Sequence, residues 1–423
     1  MYHSLSINSS GINSDPAAGC EHAEHRTGAG SNASLGNIHE FTQPPPSPPL
    51  YRQLDKDLTD PDFYRLIEQY ELQRIAADLL RPFKLRDRSG NLQLPRVCKC
   101  LQVPRTPAVE IWKSIEHEKF FYGGLVICGS VWDCLPCARK ISERRKVEIK
   151  QGIDIWEGRG GSVLMMTLTF PHYEHQATGP LLMKFGESRR KMRNRKSWKR
   201  TADAMSIVGR INRVETTYGA NGAHIHCHEL LFSEHQNLKV DAGSIYPMWA
   251  SSCVDSGLDA PSEEHGVKIS TPEQMADYVS KIGKEGSKWS LELEMTKGHI
   301  KQGKIDGMTP FDLLRAFRDT GNSYYSEKFI EYSQAFKQKT QLKWSDGLRD
   351  LLGLAPEKTD IEVAEEKDAL SEIFSLIDLD TWKFIRKYNL RGDLIAMCKY
   401  GIEAVLEFLT LVKKGGIKDE ICC

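Results

Sequence analysis

The sequence predicts an α+β protein, in which a central antiparallel sheet has flanking helices and follows a cysteine-rich module. Residues 163–170 are rich in β-prone and large apolar residues and stop at Pro171, which is typical of a central strand. Residues 207–232 contain a polar and apolar alternation around a Gly/Asn turn, which is typical of a β-hairpin. Five cysteines between residues 98 and 137 fall into two groups and indicate the module.

The length and the charge limit the class of protein. A chain of 423 residues is long enough for two or three domains with a real core. Lys and Arg number 57, equal to Asp and Glu, and this balance argues against a protein that binds nucleic acid over its whole surface. The charge is nevertheless uneven, since nine of the seventeen residues 184–200 are Lys or Arg. A polyanion would therefore meet only part of the surface.

The chain shows no sign of export or of membrane insertion. Its longest apolar run, near residues 404–412, is too short to span a bilayer, and its first ten residues lack the regions of a secretory signal. We expect a cytoplasmic protein without a membrane contact. In that compartment eleven cysteines are metal ligands or free thiols rather than disulfides.

The N-terminal region predicts a disordered segment followed by a helix. Residues 1–50 are rich in Ser, Gly, Asn and His and end in a proline-rich run, a composition that cannot bury enough apolar surface to fold. Residues 51–95 form an amphipathic helical segment, because apolar residues recur at helical spacing over 60–81 and Pro82 ends the run.

The cysteine module, residues 96–150, predicts a structural zinc site. Two close groups separated by a loop can bring four thiolates to one tetrahedral zinc, and the last two cysteines have the spacing of a zinc knuckle. Five cysteines are present for four positions, so either Cys98 or Cys100 is spare; the others are Cys128, Cys134 and Cys137. The alternative is a cluster of buried free thiols. A basic helix follows over residues 139–150 and faces either a phosphate backbone or water.

The basic run of residues 184–200 has Phe185, Met192 and Trp198 among its cations. Cations on phosphates and an aromatic side chain on a base suit a strand of nucleic acid, whereas the alternative is a solvated helix face. The candidate DNA-binding residues are Arg189, Arg190, Lys191, Arg193, Arg195, Lys196, Lys199 and Arg200.

The hairpin places three histidines on one face of the sheet. His224, His226 and His228 alternate along one strand, so their side chains project together and either bind a metal or stay half-solvated. If the turn is centred between residues 220 and 221, the numbers of paired residues sum to 441 and Glu215 lies opposite His226. A slip of one residue would move Glu215 to the other face.

Residues 271–281 predict a helix with Thr271 as its N-cap, Pro272 at its first position and Gln274 closing a capping box. Tyr278 and Lys281 are three residues apart and share a face of this helix. A single tyrosine on a helix is more often structural than catalytic.

Together these motifs resemble the rolling-circle replication initiators of plasmids, which belong to the HUH endonucleases. The resemblance rests on the order of the cysteine knuckle, the Thr-Leu-Thr strand, the His-hydrophobe-His strand and the Tyr-x-x-Lys helix, and it covers residues 98–354. It implies an HUH nuclease domain at residues 151–300 and an initiator-family extension at residues 301–355. The apolar pattern over residues 371–414 predicts that the C-terminal region, residues 356–423, is a small helical appendage. Its last residues, Cys422 and Cys423, are expected to be free thiols.

The resemblance also implies roles for particular residues. His226 and His228 would be the metal-binding pair, Glu215 an acidic ligand and His224 a third candidate, with Ile225 where many relatives have proline. Tyr278 would be the nucleophile and Lys281 would position the phosphate. Some relatives carry a glutamate one helical turn before the tyrosine, but this chain has Gln274 there, so no termination residue is assigned.

The implied activity is origin-specific nicking and joining of one DNA strand. Attack by the tyrosine would leave a 5′-phosphotyrosine and a 3′-hydroxyl that primes a polymerase. The resemblance implies manganese or magnesium at the nuclease site, in addition to the structural zinc. The expected partners are origin DNA, as a single strand or an extruded hairpin, and a host helicase and polymerase.

The sequence is also compatible with three other functions. A relaxase or a transposase of the same class would share the chemistry and differ in its target. A non-enzymatic zinc DNA-binding protein would bind DNA without metal-dependent cleavage. A zinc hydrolase ranks last, because Glu229 is predicted to lie on the face opposite the histidines.

Overall fold

The computed structural model describes residues 61–87, 89–236, 238, 240–270 and 307–413. The helices are α1 (Pro61–Leu80), α2 (Leu135–Gly158), α3 (Thr178–Asn194), α4 (Lys196–Ala204), α5 (Ala242–Val254), α6 (Glu263–Gly266), α7 (Pro310–Thr320), α8 (Ser323–Phe336), α9 (Leu348–Leu352), α10 (Asp360–Glu365), α11 (Leu379–Lys387), α12 (Arg391–Met397) and α13 (Ile402–Lys413). The strands are β1 (Leu85–Arg86), β2 (Leu92–Gln93), β3 (Ala108–Ser114), β4 (Lys119–Gly123), β5 (Ser162–Leu168), β6 (Ile207–Gly219), β7 (Gly222–Ser233), β8 (Val267–Ser270), β9 (Leu342–Trp344) and β10 (Ser371–Asp378).

Three predictions fall outside the described residues. They are the disordered segment 1–50, the helix at 271–281 with its tyrosine, and the two C-terminal cysteines. No helix in the described ranges combines the length and the apolar character needed to cross a membrane.

The central sheet has five antiparallel strands in the order β8-β5-β7-β6-β9, with helices around it. This architecture confirms the predicted α+β class. β5 lies between β8 and β7, so the run predicted as a central strand does occupy an interior position. Its side chains are almost all buried, as expected for a strand covered on both faces.

The β6–β7 hairpin has the predicted register. Gly219 pairs with Gly222 across the turn, and Glu215 lies opposite His226. Gly222 has φ +82°, and a Cβ at this position would lie 3.1 Å from the backbone oxygen of Tyr173. Glycine is therefore required both by the left-handed backbone and by the close approach of the loop that follows β5.

The two faces of the sheet are covered differently. On one face Ile225, Cys227 and Leu231 pack in a core with Phe185 of α3 and Trp249 of α5. On the other face Leu230 and Phe232 pack against α2, β9 and α9. The three histidines lie on this second face, nearer the turn, because they share the alternation of Leu230 and Phe232.

The cysteine module and the C-terminal region together form a three-stranded antiparallel sheet in the order β10-β3-β4. The prediction of helix from residue 371 was wrong for Ser371–Asp378, which is β10; the helices begin only at Leu379. The backbone groups of β10 pair with those of β3, about 260 residues earlier, and such a partner is invisible to local periodicity.

One core joins the predicted helical segment, the cysteine module and the C-terminal region. Tyr122 of β4 lies in edge contact with Trp382 of α11, with ring centroids 5.2 Å apart. The side chain of Arg391 is fully buried and donates to the carbonyl oxygens of Leu101 and Tyr70. These contacts pack α11 and α12 of the C-terminal region against α1 and the cysteine module.

Candidate functional site

Four cysteines of the predicted module converge. The Sγ atoms of Cys100, Cys128, Cys134 and Cys137 all lie within 4.8 Å of one another, and all four residues are buried. Cys137 Sγ is 3.5 Å from both Cys100 Sγ and Cys128 Sγ, and Cys134 Sγ is 3.7 Å from Cys100 Sγ. Thiolates at about 2.3 Å from a tetrahedral zinc are about 3.8 Å apart. The cluster could therefore hold a metal ion such as zinc.

The structure also separates the two cysteines between which the sequence could not choose. Cys98 points to α1 and donates to the carbonyl oxygen of Ala77 at 3.2 Å, outside the cluster. Cys100 is the cluster member, and its sulfur accepts a hydrogen bond from the amide of Cys128 at 3.3 Å. Such amide donors are typical partners of metal-bound sulfur.

A second group of possible ligands lies on the histidine face of the sheet. One ligand atom from each of Glu215, His226 and His228 lies within 4.8 Å of the others. These residues are only 7%, 9% and 6% exposed, respectively. His226 Nε2 and Glu215 Oε2 are 3.4 Å apart, and two atoms bound at about 2.1 Å to one ion are about 3.0–3.4 Å apart. Two imidazoles and a carboxylate form a donor set that manganese and other divalent metals accept.

Neighbouring side chains orient these possible ligands. Thr167 Oγ1 of β5 is 3.0 Å from His228 Nδ1, so a metal bound by His228 would be held by the second ring nitrogen, Nε2. Arg213 of β6 places its Nε 3.1 Å from Glu215 Oε1. The Nδ1 atom of His226 is buried, and no described residue forms a hydrogen bond with it.

His224 is on the same face but outside the group of three. Its ring is stacked on His226 with centroids 5.0 Å apart, and its other neighbour, His172, is at 4.8 Å. Burial, together with the neighbouring imidazoles, lowers the pKa of His224 to about 3. His224 is therefore neutral at pH 7 and separates the three-residue group from the loop that follows β5.

Part of the basic run is internal. Glu229 is fully buried on the face opposite the histidines, as predicted, and it accepts hydrogen bonds from Arg189 and Arg193. Burial alone would raise the pKa of Glu229, but the charges of Arg193, Arg189 and Arg210 outweigh it and lower the pKa to about 2. These ion pairs hold α3 on the sheet.

Two further cations of the run bind α5 and the turn after it. Arg195 pairs with Asp255, and Lys191 donates to the carbonyl oxygen of the same residue. The run is also divided into two helices, since α3 ends at Asn194 and α4 begins at Lys196. The predicted DNA-binding cations that remain exposed are Arg190, Lys196, Lys199 and Arg200.

The predicted nucleophile Tyr278, its neighbour Lys281 and Gln274 lie outside the described residues. Three residues of the site were not predicted from the sequence: Thr167, His172 and Arg213. Arg213 could have been found by alternation, because it is two residues before Glu215 on the same strand. Thr167 and His172 could not, because their nearness to the histidines depends on the pairing of β5 with β7.

Comparison with known proteins gives one distant similarity. A protein of Streptomyces lividans, named Protein rep, is 24% identical to this chain over 294 residues, which are 55% of this chain. The similarity spans 64% of that protein's length. No family model and no solved structure matches the chain.

Proposed function

We propose that this chain is a rolling-circle plasmid replication initiator of the HUH class, which nicks and rejoins one strand of origin DNA. The observation that carries the proposal is the convergence of Glu215, His226 and His228 on one face of an antiparallel sheet. The similarity to the Streptomyces protein named rep supports a role in replication. In this proposal the nuclease domain spans residues 151–300, the zinc module 96–150 and the initiator extension 301–355.

The three side chains suit a divalent ion such as manganese or magnesium, which would polarise the scissile phosphate and offset its developing charge. The residues of the chain fix the geometry. Thr167 holds the ring of His228, and Arg213 holds one oxygen of Glu215. His224 is neutral and adds no positive charge beside the phosphate.

The proposed reaction exchanges one phosphodiester for another. The hydroxyl oxygen of Tyr278 attacks the phosphorus and loses its proton to solvent, while the bond from phosphorus to the 3′-oxygen breaks. The 3′-oxygen takes up a proton and becomes the primer end, and the 5′-phosphate stays on the tyrosine. Lys281 offsets the phosphate charge. Since no high-energy co-reactant is consumed, the same link can be reversed to rejoin the strand.

The substrate strand must be single or extruded, because the phosphate has to reach three side chains that are each less than 10% exposed. The exposed cations of α3 and α4, namely Arg190, Lys196, Lys199 and Arg200, belong to helices that cover the opposite face of the sheet from the histidines. They would contact phosphates of the strand away from the scissile one, without a sequence preference. An origin hairpin extruded from supercoiled DNA fits these requirements. A host helicase would unwind the duplex, and a host polymerase would extend the 3′-hydroxyl.

The test is a nicking assay on supercoiled plasmid that carries the chain's own gene and flanks. We expect relaxed circles with manganese or magnesium and none with chelator, together with a covalent protein–DNA adduct on an origin oligonucleotide. Tyr278→Phe should abolish the adduct, whereas Tyr388→Phe, at the end of α11, should leave it intact.

The metal centre has its own matched pair of variants. His226→Ala should abolish nicking, but His235→Ala, just beyond β7, should not. Metal-independent DNA binding without any nick would favour the non-enzymatic zinc protein. A nick at a transfer origin or at an insertion-element end, instead of a replication origin, would favour a relaxase or a transposase.

A further inference from the structure

We infer that Arg213 is a positioning residue that orients Glu215 for metal binding, an inference that rests on the metal centre of the proposed function. Arg213 lies on β6 two residues before Glu215, and in the hairpin register it is opposite His228. Its side chain is 1% exposed. It is therefore buried beside the three possible ligands on the same face of the sheet and cannot reach DNA directly.

The two oxygens of Glu215 face different partners. Oε1 is 3.1 Å from Arg213 Nε, and Oε2 is 3.4 Å from His226 Nε2. The positive charge of the guanidinium attracts Oε1 and so favours the orientation in which Oε2 faces the imidazole. The arginine thus favours presentation of Oε2 of Glu215 to the ion.

The surroundings of Arg213 provide few alternative partners. Arg213 and Glu215 line a small cavity whose other walls include Val131, Trp132 and Phe311. The three guanidinium nitrogens of Arg213 are buried and form no hydrogen bond in the described part of the chain, so the contact of Nε with Glu215 Oε1 at 3.1 Å is an ion pair. A buried guanidinium requires a counter-charge, and Glu215 is the carboxylate within 4.0 Å of it in the described part of the chain.

A second buried arginine shows what a purely structural role looks like. Arg391 is equally inaccessible, but it donates to the carbonyl oxygens of Leu101 and Tyr70 and to the amide oxygen of Asn389. Its hydrogen bonds join three segments of backbone. Arg213 instead directs its charge at a single carboxylate beside two histidines, which is the arrangement of an outer-shell residue in a metal site.

The direction in which the metal affinity of Arg213 variants changes distinguishes a positioning role from a simple effect of charge. A positive charge beside a divalent cation repels it, so removal of the charge by Arg213→Met should strengthen metal binding if charge were the main effect. If Arg213 positions Glu215, both Arg213→Lys and Arg213→Met weaken binding, because neither offers the Nε contact. Loss of an outer-shell partner typically costs about 10–100-fold in metal affinity.

The experiment measures Mn²⁺ affinity of the full chain by electron paramagnetic resonance, without DNA, on protein whose zinc content and thermal unfolding match the wild type. We expect Arg213→Lys to raise the Mn²⁺ dissociation constant by about tenfold or more. Arg210→Lys is the matched control, since Arg210 is on the same strand and on the opposite face. Nicking by Arg213→Lys should then need more Mn²⁺ for half-maximal rate and recover at saturation.

The outcomes distinguish this inference from the proposed function. Unchanged Mn²⁺ affinity in folded Arg213→Lys, or tighter binding by Arg213→Met, would overturn the positioning role and leave the metal centre intact. Equal Mn²⁺ binding by the wild type and by His226→Ala would overturn the metal centre itself. If Arg213→Met fails to fold, Arg213→Lys still decides the question, because it keeps the charge and most of the side-chain volume.

Discussion

The interior ion pairs of the basic run make a quantitative prediction about stability. Glu229 is fully buried and is the shared partner of Arg189 and Arg193, with Arg189 Nη2 at 3.1 Å. The change Glu229→Gln keeps the shape of the side chain and removes its charge. Two arginines are then left at the buried face of the sheet without their counter-ion.

The magnitude follows from the cost of an uncompensated buried charge. Removal of one partner of a buried pair costs about 3–5 kcal/mol in the free energy of unfolding. Arg189 keeps a hydrogen bond of 2.9 Å to Asn212, which places the expected loss at the lower end of that range, about 3 kcal/mol. The low pKa of Glu229, about 2, also means that the wild type keeps this contribution down to acidic pH.

Urea unfolding followed by circular dichroism measures the loss. Glu187→Gln is the matched control, because Glu187 is on α3, the helix of Arg189 and Arg193, and pairs with Arg190 at 3.1 Å on the exposed surface. An exposed pair of this kind contributes about 0–1 kcal/mol. A loss below about 1 kcal/mol for Glu229→Gln would refute the interpretation that Arg189 and Arg193 act in packing.

Three further outcomes are expected. Elemental analysis of the purified protein should show zinc in the wild type and in Cys98→Ser but not in Cys137→Ser, because Cys98 Sγ contacts Ala77 and not the cluster. Burial raises the pKa of Asp393 to about 7, so the protein binds a proton on folding between about pH 4 and 7. The free energy of unfolding should therefore fall by up to about 1.4 kcal/mol per pH unit over that range. Thermal unfolding of Asp393→Asn should show a weaker pH dependence, and an unchanged dependence would contradict this role of Asp393. Neutralising the four exposed cations of the basic run, Arg190, Lys196, Lys199 and Arg200, should weaken the salt dependence of single-strand DNA binding. The slope of the logarithm of the binding constant against the logarithm of the salt concentration, measured by fluorescence anisotropy, should become shallower by about 3. An unchanged slope would show that DNA binds elsewhere.

Short-range patterns predicted the hairpin and the placement of its side chains well. Alternation placed the three histidines on one face, and the turn residues set the register that brings Glu215 opposite His226. Both features depend on residues within about twenty positions of one another, where strand periodicity and turn chemistry act directly. The end of α1 before Pro82 was predictable for the same local reason.

Partners that are distant in sequence were not predictable from one chain. Local periodicity could not tell that β10 pairs with β3, so a strand was taken for the start of a helix. The composition of residues 184–200 likewise could not distinguish among the cations, although Arg189 and Arg193 pair with the buried Glu229. A buried carboxylate and its arginines are selected by the packing of α3 on the sheet, which is a tertiary event.

By itself the sequence determined the α+β class and the face of the sheet that carries the histidines. It also determined that Glu215 lies across the hairpin from His226, and it gave the set of cysteines from which a cluster could form. The tertiary structure alone decided that Cys100 and not Cys98 completes the cluster, that Thr167 orients His228, and which cations stay exposed. The physical reason is the range of the interactions. Side-chain direction along a strand is set by its own backbone, whereas ligand choice and burial depend on which distant segments pack together.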